Sequence, residues 1–140
     1  MILLDTNVLS ALMQASPAAG VVDWLDRQAP DDIWTTTISV FEVRFGLALL
    51  TEGRRRQAME SAFQHLLLED LAGRIAVFDQ PAAEAAAVLA ARRRQAGRTV
   101  EYRDTQIAGI AMARRASIAT RNVRHFQDLA DLIIDPWNDR

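Results

Sequence analysis

Asp5, Glu42 and Asp104 are the residues on which chemistry could be built. Asp5 closes the apolar run Ile2-Leu3-Leu4, Glu42 falls on the helical stripe Ile38, Glu42, Phe45, Leu49, and Asp104 opens the stripe Asp104, Ile107, Ala108, Ala111. Each stands where a buried apolar side chain is expected. A carboxylate in apolar surroundings is costly unless a cation compensates it, and a divalent ion bound by hard oxygen donors compensates several at once. The chain has no cysteine, and its two histidines, His65 and His125, lack ligand spacing. Such a donor set selects Mg2+ or Mn2+ rather than zinc. These ions suit phosphoryl chemistry, because they activate a water and neutralise charge developing on phosphate during an in-line displacement.

Taken singly, Asp5 or Asp104 reads more readily as a helix cap. Glu42 does not, since a mid-helix acid flanked by Phe41 and Val43 has no capping role.

Acids so far apart in the chain need a scaffold that gathers distant segments. Short apolar runs predict strands over residues 2–4, 33–36, 75–78, 117–120 and 132–134. Apolar spacing and capping signals predict helices over 8–13, 20–28, 40–50 with Ser39 as N-cap, 54–69, 82–95 and 102–115, and a helical turn over 125–130. Unalternating strands separated by helices imply an α/β fold whose central parallel sheet, of about five strands, is flanked by helices on both faces. In such sheets ligands collect beyond the carboxyl ends of the strands. Asp5, Glu42, Asp104 and the pair Arg121-Asn122 can therefore converge on one edge.

Composition narrows the choice further. A chain of 140 residues, half of them apolar, fits one domain over 1–140 with a sizeable core. The net charge of −2 excludes a domain that attracts nucleic acid as a whole, so any such binding must come from a local patch. All 16 basic residues are arginine, which rules out any mechanism that needs lysine. With no basic leader and no run of some 18 apolar residues, the expectation is a soluble cytoplasmic protein without membrane contact.

Four stretches then fall into a pattern: Met1-Ile-Leu-Leu-Asp5-Thr6-Asn7-Val8-Leu9-Ser10, Ser39-Val-Phe-Glu42-Val-Arg-Phe-Gly46, Asp104-Thr-Gln-Ile-Ala-Gly-Ile-Ala111 and Ala119-Thr120-Arg121-Asn122-Val-Arg-His125-Phe126. In order and spacing they resemble the PIN-domain ribonucleases of the VapC toxin type, in the FitB-like branch. The likeness extends over nearly the whole chain and takes in Gly73-Arg74 and Pro136-Trp137. It implies a single PIN-like domain and a toxin of a type II toxin–antitoxin system that cuts RNA phosphodiesters to leave a 5′-phosphate and a 3′-hydroxyl. It also implies a homodimer, and a co-encoded antitoxin that is a small DNA-binding protein with its C-terminal tail in a groove of the toxin.

Under that resemblance Asp5, Glu42 and Asp104 hold Mg2+ or Mn2+, and Asn122 completes the catalytic and metal-binding set. Many members carry a fourth acid where this chain has Asn122. An amide carbonyl can still ligate, but one negative charge is lost and a second ion binds more weakly. Thr6 and Thr120 resemble positions beside the acids, and Arg44, Arg121 and Arg124 lie where guanidinium groups could grip RNA phosphate. The runs Arg54-Arg55-Arg56 and Arg92-Arg93-Arg94 read as solvated helix faces, and His125 as a packing or hydrogen-bonding residue. Met59, Phe63, Leu66 and Leu67, with Phe41, Phe45 and Leu49, match the region that commonly forms the antitoxin groove.

Two other classes compete. Aspartyl-phosphate chemistry also uses a strand-end aspartate, but its receiver and dehalogenase forms lean on a lysine that this chain lacks. A catalytically weak or silent module, acting through antitoxin or nucleic-acid binding, is favoured only by Asn122.

Overall fold

A computed structural model of the chain describes residues 1–139. Strand β1 (Ile2–Leu4) lies at the centre of a five-stranded parallel sheet with β2 (Ile33–Thr36), β3 (Ile75–Ala76), β4 (Ser117–Ala119) and β5 (Ile133–Ile134), in the order β3-β2-β1-β4-β5. Leu3 pairs with Trp34 on one side and Ile118 on the other. The third strand is shorter than the apolar run suggests, because only Ile75 and Ala76 pair, with Thr35 and Thr36.

Alternation along the short strands supplies two cores. Leu4, Ile33 and Ala119 face one side, where α1 (Thr6–Leu12), α2 (Ala19–Asp26), α3 (Thr37–Leu49) and α4 (Arg54–His65) bring Val8, Leu9, Trp24, Val43, Leu47 and Phe63. Leu3 and Ile118 face the other, against Ala82, Leu89, Ile107 and Ala111 of α5 (Gln80–Gln95) and α6 (Tyr102–Arg114) and Phe126 of the 3-10 segment Val123–Leu132. Both faces of the parallel sheet are thus covered, as its apolar strands require.

Helix α3 starts earlier than its sequence suggests. Thr36, the last residue of β2, is the N-cap: its Oγ1 accepts from Ser39 N at 3.1 Å, so Ser39 lies inside the first turn. The rotation of the helix corrects a second expectation. Val43 and Leu47 face the core, whereas of the stripe Ile38, Glu42, Phe45, Leu49 only Ile38 packs on the core, Glu42 is partly buried, and Phe45 and Leu49 are 48% and 72% exposed beside Phe41 at 56%. Helix α4 runs into a π-helical turn, Leu66–Asp70, which buries Leu66 and Leu67.

Small residues let α5 and α6 approach closely. A Cβ placed on Gly109 would lie 2.5 Å from the carbonyl oxygen of Ala82 and 2.7 Å from Ala86 Cβ. Since backbone cannot yield cheaply, Gly109→Val is expected to destabilise the protein by about 2 kcal/mol or more. Urea denaturation checks this, and a variant as stable as the parent would mean that α5 is free to shift.

Candidate active site

Chain order reverses beside β1: β2 and β3 extend the sheet one way, and β4 and β5 return to the other side of the first strand. A crevice opens at such a switch point, beyond the carboxyl ends of β1 and β4. Asp5 follows β1 and Thr120 follows β4, so the topology alone brings them together.

Asp5 is 3% exposed and fully engaged. Its Oδ1 accepts from Thr6 N at 2.8 Å and caps α1, while Oδ2 accepts from Thr120 Oγ1 at 2.7 Å and Asn7 Nδ2 at 3.3 Å. The Thr120 hydroxyl also accepts from Asn7 Nδ2 and Asn122 N, and Asn7 Oδ1 accepts from Arg121 N at 3.0 Å. Asn7 therefore ties the two strand ends together through its side-chain amide.

Glu42 reaches the same place from α3. Thr6 Oγ1 donates to its Oε1 at 3.0 Å, and Arg103 Nη1 lies 3.6 Å from its Oε2. The Arg103 guanidinium rests over the stacked rings of Phe41 and Phe45, 5.5 and 5.9 Å from their centroids. Asp104, buried in the first turn of α6, accepts from His125 Nδ1 at 2.5 Å.

Burial pushes the Asp5 carboxyl above its ordinary range. Bonds from Thr120 and Thr6 work against the rise, Asp104 adds to it, and His125 opposes it. Glu42 is likewise raised, first by burial; Thr6 and Arg103 pull it down, while Asp5 and Asp104 push it up. Three carboxylates thus repel one another across one crevice, with Arg103 and His125 as partial compensation. Oxygen-only donors under mutual repulsion suit a hard divalent cation. Among the described residues, however, no three acidic or histidine side chains already form a cation cage.

The remaining candidates divide. Thr6 and Thr120 contact the acids directly. Asn122 and Arg121 join the site by their backbone N–H groups, and the Arg121 guanidinium lies over Trp137, 5.0 Å from the ring centroid. Arg44 turns away to α4, where it donates to Gln64 at 2.9 Å and covers the Phe63 ring. Arg124 is exposed and lines a cavity together with His125.

Arg93 corrects the reading of its arginine run as solvated. It is 4% exposed, forms a two-pronged pair with Asp128 at 2.8 and 2.9 Å, and donates to Thr105 Oγ1 and the His125 carbonyl. Sequence reasoning also passed over Asn7 and Arg103. Both lie within two residues of a singled-out acid, a proximity that could have flagged them.

The structure is thus an α/β domain with a cluster of carboxylates at its switch point. The PIN domain family model matches residues 2–132. The chain belongs to the PIN-domain family, within its VapC/FitB toxin–antitoxin group. It is 37% identical over 137 residues to the VapC ribonuclease Y4jK of Sinorhizobium fredii, covering 98% of each chain. It is 34% identical over 139 residues to the toxin FitB of Neisseria gonorrhoeae, covering 99% of this chain and all of that one. Among solved structures, FitAB bound to an IR36 DNA fragment contains a chain that matches with a TM-score of 0.88 at 34% identity, covering 100% of this chain and 98% of that one.

Proposed function

We propose that this protein is a Mg2+- or Mn2+-dependent endoribonuclease, the toxin of a toxin–antitoxin pair. The observation that carries the reading is the cluster of carboxylates at the switch point, where buried Asp5 and part-buried Glu42 interact with each other and with Asp104. Similarity to a protein named a VapC ribonuclease and to one named a toxin supports the activity and the setting. Neighbours solved as FitAB and VapBC complexes, some with DNA, support an antitoxin partner. Among the described residues no helix is long and apolar enough to cross a membrane.

Asp5, Glu42 and Asp104 would hold the ion, with Asn122 nearby to offer an amide oxygen. When bound, the ion supplies an activated water and offsets charge on the phosphate. The protein's own part is orientation. Thr120 and Asn7 fix the Asp5 carboxylate at the strand end, so it needs no reorientation to meet an ion. His125 donates to Asp104 and sets the turn of that carboxylate, as an outer-shell partner orients a ligand. Arg103 pairs with Glu42 and offsets part of its charge.

The direct test is digestion of a structured RNA by the purified protein in Mg2+ or Mn2+ against EDTA. Cleavage with either ion, and none in EDTA, is expected. Two observations favour the silent-module reading: Asn122 is neutral and exposed, and Arg103 is already paired with Glu42. Calorimetry decides, since absence of Mn2+ binding to folded protein would remove the enzyme reading.

A further inference from the structure

Next to the His125–Asp104 contact lies a cavity of about 290 Å³, lined by Arg93, Arg98, Thr99, Glu101, Arg124 and His125. The local fold builds its walls. Helix α5 ends in a Schellman turn, with Gly97 at φ 76°, Gly97 N donating to Arg94 O and Arg98 N to Arg93 O. That turn brings Arg98 back over the Arg93–Asp128 pair, where its Nη1 lies 3.1 Å from Asp128 Oδ2. From the other wall Arg124 faces the cavity, and among the described residues its guanidinium makes no hydrogen bond or ion pair. Three arginines there face two carboxylates, Asp128 and Glu101, so the cavity carries a positive excess in a chain whose net charge is −2.

His125 connects the two places. Its Nδ1 holds Asp104, and the residue lines the cavity, where its carbonyl accepts from Arg93. We infer that this cavity is a phosphate subsite, which receives a backbone phosphate of the RNA next to the one positioned at the acids. Arg124 is the principal donor, Arg98 the second, and buried Arg93 the fixed floor that keeps both walls in place. Guanidinium forks match phosphate oxygens in pairs, and Thr99 adds a hydroxyl donor. The strand is then held on the side of the loop joining α5 and α6, rather than over Arg44, which is turned to α4. This inference rests on the ribonuclease reading, and binding measured without metal separates the two.

The probe is a labelled single-stranded RNA oligonucleotide, titrated with folded protein in EDTA over a range of salt concentrations. On a single strand, removing one arginine–phosphate pairing lowers the slope of log K against log salt by about 0.7. Arg124→Gln is expected to lower the slope by about that amount and weaken binding several-fold, with Arg98→Gln acting in the same direction. Arg115→Gln, at the other end of α6, should match the parent. If the parent binds RNA and neither Arg124→Gln nor Arg98→Gln changes the slope, the subsite is wrong while the nuclease reading stands, and the cavity is left to a protein carboxylate or to solvent. A parent that neither binds RNA nor cuts it with Mn2+ overturns both.

Discussion

Asp5→Asn is expected to abolish metal-dependent RNA cleavage while the metal-free protein becomes more stable at neutral pH. The loss follows from removing the one carboxylate that is both buried and fixed by the strand end, and should reach about a hundredfold or more. The gain follows from linkage. Burial raises the Asp5 carboxyl, so its ionisation works against the fold. Stability from this group is fully present below the unfolded value of about 3.9 and falls as pH rises toward the folded one. Asparagine carries no charge, and with its oxygen in the Oδ2 position it still accepts from Thr120 Oγ1 and Asn7 Nδ2, losing only the bond from Thr6 N. Thermal melts in EDTA should therefore place the variant at or above the parent. Added Mn2+ should reverse the order, because an ion at a hundredfold excess over its Kd stabilises the parent by about 2.7 kcal/mol. A variant that cuts RNA at the parental rate, or melts well below it in EDTA, contradicts this account of Asp5.

The second large effect lies outside the crevice. Asp128→Ala is expected to cost about 3 kcal/mol or more, and more than Arg93→Met, although both break the same pair. The asymmetry comes from what remains. Removing Asp128 strands the Arg93 guanidinium, whose side chain is 4% exposed, whereas removing Arg93 leaves an aspartate 27% exposed and still beside Arg98. The pair also sets a pH dependence. Arg93 holds the Asp128 carboxyl below its ordinary value, so its stability is present above the unfolded pKa and is lost as pH falls through the folded one. Denaturant midpoints for the three proteins from neutral to acid pH test both points. Equal costs, or an unchanged acid limb in Asp128→Ala, would falsify the assignment.

Features that depend on neighbours in the chain were the legible ones. Three apolar residues followed by Asp5-Thr6-Asn7 announce a strand entering a helix, and the structure places β1 and the Asp5 cap there. The start of α3 was not legible, since Thr36 and Thr37 are β-branched and look like continuing strand. A hydroxyl three residues before Ser39 N overrides that preference. The helical stripe Ile38, Glu42, Phe45, Leu49 misled at Phe45 and Leu49, because periodicity finds an apolar face without saying what lies against it. Arg93 was hidden for a related reason. Within three consecutive arginines nothing local marks the one whose partner, Asp128, is 35 residues away. The Asp104–His125 contact spans 21 residues and was equally invisible to spacing rules.

The sheet order has a consequence for the protein while it is being made. β1 leaves the ribosome first, yet its neighbour β4 is among the last strands to emerge, and the Thr120–Asp5 bond joins positions 115 residues apart. A chain still under synthesis can pair β1 with β2 and begin one core, but the switch-point crevice does not exist until β4 arrives. Domains fold as units during synthesis at about 5–20 residues per second. The acidic site is therefore among the last parts of this domain to form, after β4 has emerged.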